Sequence, residues 1–279
     1  MKLLKTPLRY PGGKSRAVTQ LYNWFPGGIT EYREPFVGGA SMALYFSQLN
    51  PEIPIWINDK YTYLYNFWLH LRDEGDDLSD VCYAIKEEHP TPDLAKELFI
   101  RSKEEISEAD PFRQAVLFWV LNKCSYSGLT ENSSFSETAS NQNFTRRGAR
   151  NLKNYQDIIR DWHITNLDYT ELLDDKNSFV FLDPPYRINS FLYGTNAEMH
   201  KNFDHERFAD SCKECPSNWM ITYNVDAEIE RMFKDYQQRY FQLTYGMKHR
   251  VNNKKSELLI SNYNVEPINP LQEFLYGQV

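Results

Sequence analysis

No apolar stretch in the chain is long enough to span a bilayer, and charges occupy the N-terminal positions where a secretory leader carries its apolar run. Both absences lead us to expect a soluble, cytoplasmic protein. Cysteine is scarce: Cys82, Cys124, Cys212 and Cys215 are too few to frame 279 residues with disulfides. Cys212 and Cys215 have metal-ligand spacing but no second pair accompanies them, so the expectation is free thiols on a helix and no metal. Two nucleotide signatures are also missing. Gly12-Gly13-Lys14-Ser15 invites a P-loop reading, yet the position five residues before Gly13, where that motif needs glycine, is Leu8. A full G-x-G-x-x-G dinucleotide fingerprint is absent as well.

Positive charge is not in excess either. The net charge of −7 argues against a protein that coats nucleic acid, so the distribution of charge matters more than its sum. Residues 71 to 110 hold 13 Asp and Glu against 5 Lys and Arg, which accounts for the whole negative excess. Basic residues cluster elsewhere: Lys2, Lys5, Arg9, Lys14 and Arg16; Arg146, Arg147, Arg150 and Lys153; Lys248, Arg250, Lys254 and Lys255. The acidic segment turned away from a polyanion while the basic ones face it is one reading. Ordinary solvated surface is the other, and for any single cluster both stay open.

The stretch that organises the rest is Ser178 to Tyr186. Phe179, Val180, Phe181 and Leu182 lack polar alternation, which predicts a strand covered on both faces, as in a parallel sheet. Pro184 and Pro185 cannot donate ladder hydrogen bonds, so pairing should end at Asp183. The carboxyl ends of strands are where open α/β sheets bind ligands, which puts Asp183 and Tyr186 at a site.

Asp183-Pro184-Pro185-Tyr186 resembles the active-site motif of amino-methyltransferases, which move a methyl group from S-adenosylmethionine to an exocyclic amine. The residue types suit that reaction. The amine is a poor nucleophile because its lone pair is delocalised into the ring. Two acceptors, the Asp183 carboxylate and the Pro184 carbonyl, would hold its hydrogens and turn the lone pair towards the donor, with Tyr186 as a stacking face. That is orientation and charge stabilisation rather than base catalysis. A plain strand-to-loop turn is the competing reading of the tetrapeptide alone.

In chain order, Val18 to Trp24 reads as a short helix and Ile29 to Glu34 as a strand leading into the turn Glu34-Pro35-Phe36-Val37-Gly38-Gly39. A helix, Met42 to Leu49, follows; strand, glycine turn and helix bring backbone N–H groups close to a ligand. A second strand, Ile53 to Ile57, ends at Asp59, 20 residues after Gly39, the separation of a ribose-binding acid in doubly wound folds. Capping the next helix is the alternative role for Asp59. Residues 60 to 123 read as helices broken at His89 to Pro92 and at Asp110-Pro111, with Gln114 to Asn122 docking them on the sheet. Residues 125 to 150, dense in Ser, Asn, Thr and Gly, read as a loop for phosphate and base contacts, or as disorder. A helix at 151 to 160, a strand at 162 to 167 ending in Asp168, a short helix at 169 to 173 and a closing loop at 187 to 201 are expected next. Beyond them come a helix capped by Asp204, a strand at 219 to 223, a helix at 227 to 233, and two last strands, 239 to 244 and 257 to 263, joined by a basic loop.

Four motifs in this order resemble the Dam-type DNA adenine-N6 methyltransferases over nearly the whole chain: Tyr10-x-Gly-Gly-Lys14, Glu34 to Gly39, Asp59 with Asp168, and Asp183 to Tyr186. The resemblance implies a Rossmann-like methyltransferase sheet with an inserted helical target-recognition domain. Residues 1–60 and 151–279 would form the catalytic domain and residues 61–150 the insert. It implies S-adenosylmethionine as cofactor, held by Tyr10, Lys14, Glu34, Pro35, Phe36, Gly38, Asp59, Asp168 and Asp183. Asp183, Pro184, Pro185 and Tyr186 would be catalytic, acting on an adenine flipped from duplex DNA. Asn122, Lys123, Arg146, Arg147, Arg150, Lys248, Arg250, Lys254 and Lys255 would contact DNA. A restriction endonuclease counterpart and the cytoplasm of a bacterial or phage-infected cell are the implied context. Where the family's target-reading segment shows Arg-x-Asn-x-x-Gly, this chain has Thr130-Glu131-Asn132-Ser133-Ser134. Cytosine-N4 or RNA adenine-N6 transfer, or a non-catalytic nucleic-acid-binding module, are the alternatives.

Overall fold

The computed structural model describes residues 3–187, 203–244 and 254–265. Seven strands build one sheet: β1 (Tyr32–Glu34), β2 (Ile55–Asn58), β3 (His163–Thr165), β4 (Phe179–Leu182), β5 (Asn218–Asn224), β6 (Gln237–Thr244) and β7 (Lys254–Ser261). Their order is β3-β2-β1-β4-β5-β7-β6. The first five run parallel, and β7 runs antiparallel between β5 and β6. The chain winds outward one way through β1, β2 and β3 and the other way through β4 and β5. The switch point, where doubly wound sheets bind ligands, therefore lies between β1 and β4. This is the α/β methyltransferase sheet that the motifs implied.

The strand β4 shows why its sequence is apolar throughout. Side chains alternate across a strand. Phe179 and Phe181 enter the core on one face, while Val180 and Leu182 enter the core on the other. All four are buried.

Eleven helices lie among the described residues: α1 (Val18–Tyr22), α2 (Ser41–Leu49), α3 (Thr62–Asp73), α4 (Gly75–Glu88), α5 (Pro92–Glu105), α6 (Pro111–Cys124), α7 (Glu137–Asn143), α8 (Arg146–Arg150), α9 (Lys153–Ile159), α10 (His205–Glu214) and α11 (Ala227–Met232). None is long and apolar enough to cross a membrane. The expected breaks are real: Thr91 and Asp110 cap α5 and α6 through their side chains, each followed by proline at the first helical position. From Ala115 to Cys124 every residue of α6 is buried, and it is the hub of the helical region, packed on α3, α4, α5 and α7. The expectation that α6 docks the helices on the sheet is thus corrected: α3 packs against β3. One apolar core runs from Leu78 and Phe99 in the helices to Phe179 in the sheet.

A second correction concerns residues 125 to 150. Instead of an open loop they form 3-10 turns at Tyr126–Gly128 and Thr130–Asn132, then α7 and α8. The polar residues that suggested a loop act as caps. Ser136 accepts from Ala139 N–H and Thr145 from Gly148 N–H, and Phe144 packs on Trp119 with ring centroids 5.4 Å apart. Lys254 and Lys255, expected in a connecting loop, belong to the backbone of β7, paired with β6. The expected closing loop at 188–201, with Lys248 and Arg250, lies outside the described residues.

Candidate active site

At the carboxyl ends of β1, β2 and β4 lies a cavity of about 830 Å³. Tyr10 to Lys14, Glu34 to Gly39, Asp59, Asp168 and Asp183 to Tyr186 all line it. Residues separated by up to 176 positions thus share one hollow, and Asp183 lines the same space as the glycine turn.

The turn is shaped by close approach. Gly38 has φ +47°, and a Cβ there would sit 2.8 Å from the Tyr10 ring, so only glycine fits both the backbone and the space. Its N–H donates to Asp59 Oδ2 at 3.0 Å, and its carbonyl accepts from the Trp68 indole at 3.0 Å. Asp59 Oδ1 accepts from Tyr61 N–H at 3.0 Å, so the acid organises the turn and the start of α3 together. Burial pushes the Asp59 carboxyl up to about 6, against the backbone N–H groups of Tyr61, Gly38 and Lys60 that pull it down. Glu34 is more extreme. Fully buried at the end of β1, with its Oε2 accepting from the Tyr32 hydroxyl at 2.7 Å, it is pushed up to about 8 by burial, with Asp183 and Asp59 adding repulsion. Among the described residues neither carboxyl group has an ion-pair partner.

Asp183 is held differently. The Lys14 ammonium donates to its Oδ1 at 2.7 Å and Oδ2 at 2.8 Å, and the Thr222 hydroxyl on β5 donates to Oδ1 at 2.8 Å. Lys14 also donates to Tyr186 Oη at 2.8 Å and to the Gly12 carbonyl at 3.1 Å. Tyr186 in turn donates to Glu257 Oε2 at 2.9 Å and stacks on Tyr223, with ring centroids 5.6 Å apart. Burial comes first in raising Glu257 to about 6, opposed by Lys14 and reinforced by Asp183. Lys14, expected among the donor-binding residues, therefore sits on the carboxylate of Asp183.

At the far end of the cavity Phe36 packs on Tyr169, Phe203 and Phe208 with centroids 5.3, 5.7 and 5.9 Å away. Asp168 caps the turn at Tyr169–Leu172 and pairs with Arg207 at 3.0 Å. Partial burial works to raise Asp168, but the hydrogen bonds from Arg207 and Thr170 outweigh it and hold the carboxyl below its usual range. The opposite wall is the turn at Thr130–Asn132, where Glu131 accepts from the Tyr61 hydroxyl.

A family model of D12 class N6 adenine-specific DNA methyltransferases matches residues 10–257, from Tyr10 to Glu257. The chain belongs to that family. Type II methyltransferase M.MjaIII of Methanocaldococcus jannaschii is 26% identical over 202 residues, which cover 66% of this chain and 70% of that protein. Modification methylase StsI of Streptococcus sanguinis is 21% identical over 312 residues, covering 97% of this chain but 44% of StsI, so the chain spans less than half the length of that relative. The precorrin-6y C5,15-methyltransferase from Geobacter metallireducens, 10% identical and covering 88% of this chain and 86% of its own, has a TM-score of 0.39, a likeness too distant to carry an argument. This adenine-specific DNA methyltransferase is an enzyme, and its family supports N6 transfer to DNA over the cytosine-N4, RNA and non-catalytic alternatives.

The methyltransferase departs from the expected DNA-contacting set. Asn122 is buried at the end of α6, where its amide bonds Arg9 N–H at 3.0 Å, the Arg9 carbonyl at 2.7 Å and the Gly128 carbonyl at 3.4 Å. Lys123 is also buried, donating to the Pro7 carbonyl, and burial lowers its ammonium to about 8. Both tie the N-terminal segment to the helical region instead of facing solvent. Arg146 pairs with Glu87, and the Arg150 guanidinium covers the Tyr83 ring at 4.2 Å. This basic cluster thus lies against the acidic segment rather than opposite it. Arg147 is exposed. Thr222 and Glu257 were missed by sequence reasoning; Thr222 is a lone polar residue between Ile221 and Tyr223 in β5, Glu257 borders the apolar run Leu258 to Ile260 in β7, and both are buried. That pattern was the available signal.

Proposed function

We propose that this methyltransferase carries a methyl group from S-adenosylmethionine to the N6 amine of an adenine flipped out of duplex DNA. The observation that carries this reading is the shared hollow: Asp183, at the end of β4, opens onto the cavity that the Glu34 to Gly39 turn lines.

The residues fit the cofactor. When bound, S-adenosylmethionine supplies an electrophilic methyl on a cationic sulfonium. Glu34 and Asp59 line the cavity with carboxyl groups raised by burial and without a cation among the described residues, so a bound cation favours their ionised forms. Tyr10 and Gly38 shape the cradle beside Pro35, Asp59 is placed for ribose hydroxyls, and Phe36 with Asp168 at the aromatic end suits an adenine ring.

On the acceptor side the Asp183 carboxylate and the Pro184 carbonyl hold the two amine hydrogens and turn the lone pair towards the methyl group. Thr222 fixes the orientation of Asp183. Pro185 continues the break in the ladder, and Tyr186 offers its ring beside the target base, returning part of the unstacking cost of a few kcal/mol. The work is positioning and stabilisation of the positive charge that grows on nitrogen.

Residues 61–150 are proposed as the target-recognition region and residues 1–60 with 151–279 as the catalytic one. Phosphate contacts fall to Arg147, Lys248, Arg250, Lys254 and Lys255, which makes binding salt-dependent. A restriction endonuclease counterpart is proposed on the strength of the name modification methylase borne by one relative. Action on genomic DNA places the enzyme in the cytoplasm.

The test is transfer of tritiated methyl from S-adenosylmethionine to unmethylated duplex DNA, followed by digestion to nucleosides. Label is expected in N6-methyladenine, and Asp183→Ala abolishes it. Label in N4-methylcytosine, or equal labelling by the wild type and Asp183→Ala, overturns the reading.

A further inference from the structure

Both oxygens of Asp183 are engaged by the Lys14 ammonium, and Oδ1 carries the Thr222 hydroxyl as well. A carboxylate chelating an ammonium is a weak acceptor for a neutral amine, because its charge and three of its about four acceptor sites are already committed. If Asp183 is to hold an exocyclic amine, Lys14 has to withdraw from it. Lys14 is 3% exposed, so its charge has no easy route to water and needs a second anion close by.

The only other carboxylate that the structure sets beside the Lys14 ammonium among the described residues is that of Glu257, 3.8 Å from Nζ and 2% exposed. A shift of about 1 Å brings Nζ within ordinary hydrogen-bond range of Glu257. The Tyr186 hydroxyl lies between the two, accepting from Lys14 at 2.8 Å and donating to Glu257 at 2.9 Å, so Lys14 keeps this contact as it moves.

We propose that Glu257 is a positioning residue of the transfer site: it receives the Lys14 ammonium as the amine takes Lys14's place on Asp183, and it fixes Tyr186 through the hydroxyl. The inference rests on the reading of Asp183 as the amine-holding group. Lys14 then acts as a movable counter-ion that keeps Asp183 neutralised until an amine arrives. The strand β7, which bears no residue of the recognised motifs, supplies the place to which it moves.

The variant is Glu257→Gln, which keeps shape and hydrogen bonding to Tyr186 but removes the charge. We expect S-adenosylmethionine affinity, measured by calorimetry, to stay within about 2-fold, while kcat for methyl transfer to unmethylated duplex DNA falls about 10-fold or more. In a Lys14→Gln background, where nothing needs receiving, Glu257→Gln should cost little further, a non-additivity that a structural role for Glu257 would not produce. Wild-type kcat in Glu257→Gln, or a loss that multiplies in full with that of Lys14→Gln, overturns the proposal. Should Glu257→Gln fail to fold, Glu257→Asp keeps the charge but sets it back by one methylene. A lowered kcat with donor affinity retained then supports the proposal, and an unchanged kcat refutes it. If the wild type itself labels no adenine, the reading of Asp183 fails instead, which separates the two ideas.

Discussion

The site has two groups of carboxyl side chains, and among the described residues only one of them has a cation of its own. Glu34 and Asp59, beside the glycine turn, are buried with only hydroxyl and N–H donors around them, and burial drives both upward, to about 8 and about 6. Asp183, after β4, and Glu257, on β7, share a buried lysine between them. Among the described residues the first pair has no cation of its own, and an incoming sulfonium favours its ionised form. The second pair already has its cation and can exchange it. Residue type alone does not distinguish the two; the presence of Lys14 does.

The largest effect expected from breaking this contrast is at the lysine-bound pair. Asp183→Ala should lower kcat by at least about 10³-fold while the protein still melts cooperatively, because one charge-stabilising group at the reacting atom is lost. Next comes the cradle between the pairs. Gly38→Ala puts a methyl 2.8 Å from the Tyr10 ring at φ +47°, and should weaken S-adenosylmethionine binding more than 10-fold and cost about 1–2 kcal/mol of stability, read by calorimetry and denaturant melts.

Glu34 then sharpens the comparison through pH. Its folded value near 8 lies above its ordinary 4.5, so between those limits the folded protein binds more protons than the unfolded chain and stability falls as pH rises. Glu34→Gln removes that penalty. Its unfolding free energy should match the wild type near pH 5 and exceed it progressively up to pH 8, by on the order of 2 kcal/mol; a constant difference across the range would refute the assignment. Donor affinity reports on the same pair with a smaller effect. A cationic ligand favours the ionised forms, so S-adenosylmethionine should bind several-fold more tightly at pH 8 than at pH 6, whereas S-adenosylhomocysteine, lacking the sulfonium charge, should change less. The smallest effect lies outside both pairs. Arg146→Ala breaks an exposed pair with Glu87 and should shift stability by less than about 1 kcal/mol.

Much of this arrangement could be read from the chain. The apolar run ending in Asp183, the glycine turn after Glu34 and the acid closing the second strand each put a functional group at a strand end, where local sequence determines position. What could not be read were partners set by distant packing. Lys14 meets Asp183 across 169 positions, and Asn122 meets Arg9 across 113, so no local pattern announces either. Polar residues misled in a related way. In the stretch from Ser125 to Arg150, Ser136 and Thr145 looked like loop chemistry because the same hydroxyls that solvate a loop also cap helices.

The placement of β7 has a consequence for how the enzyme comes into being. The strand that carries Glu257 is inserted between β5 and β6, so among the described strands it is the last in chain order to join the hydrogen-bonded ladder around the chemistry. A nascent polypeptide stalled before this strand emerges would already hold every recognised motif, yet lack the wall behind Tyr186. Competence to modify DNA would then arrive only once β7 has been made and paired, so a product lacking it should be chemically silent on the DNA it meets.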